Sequence, residues 1–292
     1  MSFYRIMAEC REHYPVAAMA EVYGVSTSGF YDWLDREPSA RERRREELAE
    51  QVREAFDDVS GIYGSRKLTR ELVERKIEVC RNTVAGLMRD QGLRSRAQKR
   101  RHVTTTDSSH VEPVTPNTLE RDFTAAVPDR KWAADITYIE TAEGFVYLAA
   151  VMDLFSRRIV GWSLSDSLES TLVLEALENA IRLRAPEAGL LHHSDRGVQY
   201  ASERHRRLLA DHGIECSMSR RGNCWDNAPM ERFMNSLKNE WVHHESYATI
   251  EEARTGVFRY IEMFYNRERR HQTLGYISPC RYEELHASSE AA

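Results

Sequence analysis

Three carboxylates define the chemistry this sequence is equipped for. Asp135 stands in the apolar run Trp132-Ala133-Ala134-Asp135-Ile136, where an ionised side chain is costly unless its charge is compensated. Asp195 closes a second short apolar run, Gly189 to Ser194, and ligands of α/β sheets collect at the open ends of strands. Glu231 falls in a helical stretch from Pro229 to Trp241, with Asn235 and Lys238 at i+4 and i+7 on its face. Two strand acids and one helix acid suit two divalent hard cations, which take oxygen ligands and retain several waters. Two such ions about 3.5–4 Å apart clamp the attacking and leaving oxygens of an in-line phosphoryl displacement. Lys238 lies nearly two turns past Glu231, about 10.5 Å along the axis. That is too far to share a metal and suits a neighbouring phosphate.

Rival residues have plainer readings. Asp153 ends another apolar run and is expected to pair with Arg157 or Arg158. Asp226, in a loop rich in Gly and Asn, reads as a turn or N-cap residue. His192 and His193 lack the HxHxDH spacing of a zinc phosphoesterase. Arg267, Arg269, Arg270 and His271 follow a helix opened by the Thr249/Glu252 capping box, and either touch phosphates or cap and solvate the helix end.

The elements that must position the acids follow from periodicity. Residues 131–140, 145–154 and 158–164 read as three strands of an antiparallel meander. A helix over 170–184, a strand over 189–194, a helix over 202–212 and a strand over 214–218 come next. The order βββαβαβ predicts an α/β mixed sheet with flanking helices. Ahead of it, residues 16–34 read as helix, tight turn at Gly24 and helix behind Ser26, with Met19, Val22 and Tyr23 on one face. A second pair has Leu68, Leu72 and Val73 in one helix and Val84, Leu87 and Met88 in the next, ended by Gly92. Residues 102–128, rich in Thr, Ser and Pro, read as a linker.

Charge singles out the second helical pair. The chain carries −5 overall, yet residues 61–101 hold twelve Lys/Arg against four Asp/Glu. Arg66, Lys67, Arg81, Arg94, Arg96, Lys99, Arg100 and Arg101 are therefore candidate phosphate contacts. The 292 residues, 41% hydrophobic and 30% charged, suit a globular chain of two or more modules and exclude bulk disorder. Five scattered cysteines without a CxxC pair indicate neither a disulfide framework nor a zinc finger. With no apolar run of membrane length and no signal-peptide core, a cytoplasmic protein is expected.

From about Arg130 to Glu283 the chain resembles the DDE catalytic core of retroviral-integrase-type recombinases, and as a whole it resembles second-frame transposases of the bacterial insertion sequence three family. The resemblance rests on Trp132-Ala-Ala-Asp135-Ile-Thr-Tyr138, His193-Ser-Asp195-Arg-Gly197-Val-Gln-Tyr200 and Gly222-Asn-Cys-Trp-Asp-Asn-Ala-Pro229-Met-Glu231. Leu237-Lys238, Tyr265-Asn266, Arg270-His271 and Leu274-Gly-Tyr276 extend it, and 35 residues separate Asp195 from Glu231, the spacing that names the class. It implies an RNase H-like core over 129–245 with a helical extension over 246–292. Small all-α helix-turn-helix modules over 1–40 and 41–101 precede that core. It further implies two Mg²⁺ or Mn²⁺ ions held by Asp135, Asp195 and Glu231, one with Asp135 and Asp195 and one with Asp135 and Glu231. The implied activity is cleavage of transposon terminal inverted repeats and strand transfer into target DNA. A homo-oligomer on DNA and an upstream-frame partner or fusion are also implied. No leucine-zipper heptads stand ahead of the helical modules, so multimerisation is expected to come from elsewhere. The alternative is a DNA-binding repressor or scaffold with an inactive core, and a plain RNase H-like nuclease would leave the forward helical modules unexplained.

Overall fold

The computed structural model of the chain describes residues 3–96, 115–221 and 223–290. Helices α1 (Phe3–Cys10), α2 (Val16–Tyr23) and α3 (Thr27–Leu34) close on a small core of Met7, Met19, Ala20 and Phe30. Gly24, left-handed at φ 63°, ends α2, and the Ser26 hydroxyl caps α3 by accepting from the Gly29 N–H at 3.0 Å. Val22, expected on the buried face, is instead 80% exposed. The i+3/i+4 stripe from Val16 runs through Met19 and Ala20, leaving Val22 outside it.

Helices α4 (Ala40–Asp58), α5 (Ser65–Glu74) and α6 (Arg81–Asp90) form the second helical module. A Ser39/Glu42 capping box opens α4. Leu48, Val52, Leu68, Leu72, Val84 and Leu87 are buried there, whereas Val73 is about half exposed because it falls beside the Leu68/Leu72 stripe. This apolar cluster is continuous with one face of the sheet that follows.

The five strands are β1 (Lys131–Thr141), β2 (Gly144–Asp153), β3 (Ile159–Ser165), β4 (Leu191–Ser194) and β5 (Glu215–Met218), arranged in the order β3-β2-β1-β4-β5. The first three form the antiparallel meander, and β4 and β5 add in parallel, giving the expected mixed sheet. Trp132 and Ala134 of β1 face α7 (Ser170–Arg184), whose Leu172, Val173, Ala176 and Leu177 build that side of the core. At Gly161 a Cβ would come within 2.3 Å of the Ala176 carbonyl oxygen, so only glycine lets α7 approach β3 this closely. Short helices α8 (Val198–Ala201) and α9 (Glu203–Asp211) link β4 to β5.

Alternate residues of β1, namely Ala133, Asp135, Thr137 and Ile139, pair with Met152, Ala150, Leu148 and Val146 of β2 and face the opposite side. That side is covered by α10 (Ala228–Glu240), α11 (Ile250–Phe258) and a π-helical segment, Arg259–Tyr265, which continues α11. Helix α12 (Pro279–Glu290) ends the fold. Within the expected linker, residues 115–128 lie along the sheet: Leu119 is buried, and the Thr118 and Leu119 N–H groups donate to Ser217 Oγ. Residues 102–114 lie outside the described residues. Among the described residues no helix is long and apolar enough to cross a membrane.

Candidate active site

Parallel pairing of β1 with β4 sets Ala133 opposite His193. Asp135 follows two residues further along β1, and Asp195 follows His193 by two residues, one residue past the end of β4. Adjacent strands lie about 4.8 Å apart. Asp135 occupies a rung on the β1 face covered by α10, the helix that carries Glu231 and Lys238. Met230, Phe233, Met234 and Leu237 fix α10 on the sheet, and Asn227 Nδ2 ties its first turn to the Ala134 carbonyl at 2.9 Å. The strand end and the helix anchor bring Asp195 and Glu231 near enough for their charges to act on Asp135.

These charges act on a carboxyl already desolvated by burial. Burial pushes the Asp135 carboxyl well above its usual range, and the negative charges of Asp195 and Glu231 push it further. Its bond from the Ile136 N–H and the ammonium of Lys238 oppose that rise. Lys238 lies 4.0 Å above the Tyr138 ring, and burial lowers its pKa while Asp135 raises it. It does not pair with Glu240, which is engaged by Arg269 at 2.6 Å. Asp195 Oδ1 accepts from the Gly197 N–H at 2.9 Å, and a Cβ on Gly197 would sit 3.0 Å from that same oxygen. Among the described residues, no group of three or more His, Cys, Asp or Glu side chains is placed to hold a metal ion.

Tyr200 is a site neighbour that sequence reasoning does not single out. Its hydroxyl is buried without a hydrogen-bond partner, and burial together with the charges of Asp135 and Asp195 raises its pKa. The one signal in the sequence is its place five residues after Asp195. His192 and His205 lie beside it, with ring centroids 6.4 and 5.4 Å from its own.

The rival residues resolve structurally. Asp153 accepts from the N–H groups of Asp129, Phe155 and Ser156 and pairs with neither Arg157 nor Arg158. The strand end turns back so tightly that backbone donors reach its carboxylate first, and Arg158 bonds to Glu283 at 2.8 Å instead. Asp226 is fully buried and gripped by Arg220 at 2.7 Å and Arg121 at 2.8 Å, a larger role than a turn cap. His193 spans Ser217 and Ser219, with no metal-ligand grouping around it among the described residues. Arg269, Arg270 and His271 are buried and do not solvate a helix end.

The basic candidates separate. Arg66, Arg81 and Arg94 are exposed, and Arg96 is half-buried, with its carbonyl 3.0 Å from His244 Nε2. Lys67 turns inward: its Nζ lies 5.0 Å from the Tyr63 ring centroid, and burial and the Arg269 charge push its pKa down to about 8 against the pull of Glu240. Docking of α5 against the core leaves that ammonium facing protein. Lys99, Arg100 and Arg101 lie outside the described residues.

Residues 125–224 match the family described as Integrase core domain, as do residues 212–279, and residues 43–101 match the HTH-like domain. The insertion element IS600 uncharacterized 31 kDa protein of Shigella sonnei is 43% identical over 266 residues, 91% of this chain and 97% of that protein. Transposase InsF for insertion sequence IS3A of Escherichia coli strain K12 is 39% identical over 282 residues, 96% of this chain and 98% of that protein. The catalytic core domain of HTLV-2 integrase in complex with magnesium aligns at 15% identity and a TM-score of 0.42, covering 55% of this chain and 99% of that one.

Proposed function

Because the chain belongs to the IS3 family of transposases, we propose that it cuts DNA at the ends of an insertion sequence and joins those ends to target DNA, using Asp135, Asp195 and Glu231 as its catalytic acids. The observation that carries this reading is the Asp135 carboxyl, raised first by burial and then by the negative charges of Asp195 and Glu231, a negative surrounding that favours cations. Carboxylate oxygens are the right donors for Mg²⁺ or Mn²⁺, and such ions are held by one or two carboxylates together with waters and substrate phosphates rather than by a closed protein cage. The proposed occupancy is two ions, one with Asp135 and Asp195 and one with Asp135 and Glu231. When bound, divalent cations supply Lewis-acid activation of water or a 3′-hydroxyl and stabilise the leaving 3′-oxygen.

The protein's own groups supply position. Gly197 and Asn227 hold the backbone around two of the acids, and Lys238, steadied on Tyr138, offers a point charge to a phosphate in line with the reacting oxygen. No covalent enzyme–DNA intermediate is needed. The proposed partners are terminal inverted repeats and target DNA, engaged by more than one copy of the chain and by the exposed arginines of the second helical module. An upstream-frame product is the proposed fusion partner. A repressor with an inactive core has no use for three mutually repelling acids.

The test is incubation with a duplex carrying the element's terminal repeat. Metal-dependent nicks at the element end and joined products support the enzyme. Specific binding without cutting in Mg²⁺ or Mn²⁺ supports the repressor.

A further inference from the structure

The buried stripe of α10, Met230, Met234 and Leu237, has two flanks. Glu231 and Lys238 lie along one, while Pro229, Arg232 and Ser236 lie along the other, as 100° per residue requires. On that second flank opens a cavity of about 230 Å³, lined by Arg157, Arg232, Arg269, Pro229, Phe233 and Tyr265 among others.

Its charge is unbalanced. No acidic side chain lines it among the described residues. Arg269 is committed to Glu240. Arg157 donates Nη2 to the Phe123 carbonyl at 3.0 Å, but its Nη1 is buried with no acceptor. Neither Arg157 nor Arg232 has an ion pair among the described residues. Asp153, whose charge is felt by Arg157, is occupied by three backbone N–H groups. Burial holds the Arg157 guanidinium below its usual pKa, and the nearby Arg232 charge adds to that. Arg157 also sits at φ 63°, a left-handed conformation uncommon for a non-glycine residue, and such strain gathers at ligand sites. The first turn of α10 brings the positive end of a 13-residue helix to the rim.

A buried guanidinium nitrogen without an acceptor requires an explanation. One water would satisfy the hydrogen bond but not the charge. We infer that the cavity is a phosphate-binding site, taking a phosphoryl group of a DNA strand other than the one under attack. Phosphate accepts several charge-assisted bonds at once and matches the planar guanidinium fork. Naming DNA as the source rests on the proposed function, whereas the anion site itself does not.

The experiment titrates sodium phosphate against sodium chloride at matched ionic strength, reading the melting midpoint and the heat of binding. Wild type and Glu231→Gln are expected to bind and be stabilised by phosphate, with affinity about tenfold or more weaker in Arg157→Gln and Arg232→Gln. Arg232 is exposed, so its variant keeps the fold even if Arg157→Gln does not. Equal stabilisation of all four proteins, or none of the wild type, overturns the site. With terminal-repeat and unrelated duplexes, Arg232→Gln weakening only the first assigns the phosphate to the element end. Weakening only the second assigns it to target DNA, weakening both assigns it to strand backbone shared by the two, and weakening neither overturns the DNA assignment. Phosphate binding by a protein that never cuts DNA would refute the enzyme while leaving the site intact.

Discussion

Arg270 donates from Nη2 to Glu71 Oε2 at 2.7 Å, joining the segment after the π-helix to α5 of the second helical module across 199 residues of sequence. The same guanidinium holds Glu74, and the Arg270 N–H donates to the Tyr63 hydroxyl at 2.9 Å. The helical module that bears the exposed arginines is therefore tied to the segment that follows the π-helix over the Asp135 face of the sheet.

Arg270→Ala leaves Glu71 Oε2 without its donor and Glu71 held by Arg75 alone, through Oε1 at 3.1 Å. The expected cost is about 1–2 kcal/mol, the scale for losing charge-assisted hydrogen bonds to a carboxylate that keeps another cation. Amide exchange in Leu68 to Leu72 should accelerate more than exchange in β1 and β2, as a locally released unit would show. Uniform acceleration would mean that Arg270 is not a module lock.

Lys238→Ala is expected to slow end cleavage and weaken DNA binding with no change in the Mg²⁺ midpoint, because its ammonium stands over Tyr138 and is not itself one of the proposed metal-binding groups. A titration of cleavage rate against Mg²⁺ decides. A shifted midpoint with normal DNA affinity would place the lysine in metal binding.

Replacing Arg66, Arg81 and Arg94 together by Gln should flatten the dependence of log affinity on log salt by about 0.9 for each phosphate no longer neutralised. Lys67→Gln should leave that slope unchanged and alter the melting midpoint, since its ammonium faces Tyr63, Arg269 and Glu240. Equal slopes for the triple variant and wild type would put the arginines in free solvent.

His193 and His205 are buried, and their pKa values are pushed down from 6.5 to about 4 by burial. Both stay neutral in the fold, so stability is full above about pH 6.5 and falls as pH drops towards 4, by a few kcal/mol for each group. Asp153, raised from 3.8 to about 6 mainly by burial, works against this, losing stability as pH rises through that range. His205→Phe isolates the histidine contribution: the stability of the variant relative to wild type should increase steadily as pH falls from 6.5 to 4 in urea melts. A difference independent of pH would show that His205 does not titrate with unfolding.

Period and spacing made much of this architecture legible. Short apolar runs marked β1 to β3 within a residue or so, and Asp195 and Glu231 stood out by their separation. Partners distant in sequence were not legible. Arg121 reaches Asp226 over 105 residues and Arg269 reaches Glu240 over 29, and nothing local distinguishes such arginines from solvated ones. Lys67 misleads for a related reason: helix periodicity gives one buried stripe, while α5 is buried on a second side by the core it docks against. Arg158 illustrates the reverse: close to Asp153 in sequence, its guanidinium pairs with Glu283, while the Asp153 carboxylate is taken up by local N–H groups of Phe155 and Ser156 and by that of Asp129.

The most direct test of the proposed catalytic acids is single-turnover cleavage of a terminal-repeat duplex by Asp135→Asn, Asp195→Asn and Glu231→Gln in saturating Mg²⁺, with DNA affinity measured in parallel. Carboxamides keep the shape and remove the charge that holds the cations. Cutting and strand transfer should be lost in each variant with DNA affinity close to wild type, and wild-type turnover by any one of the three would contradict the assignment.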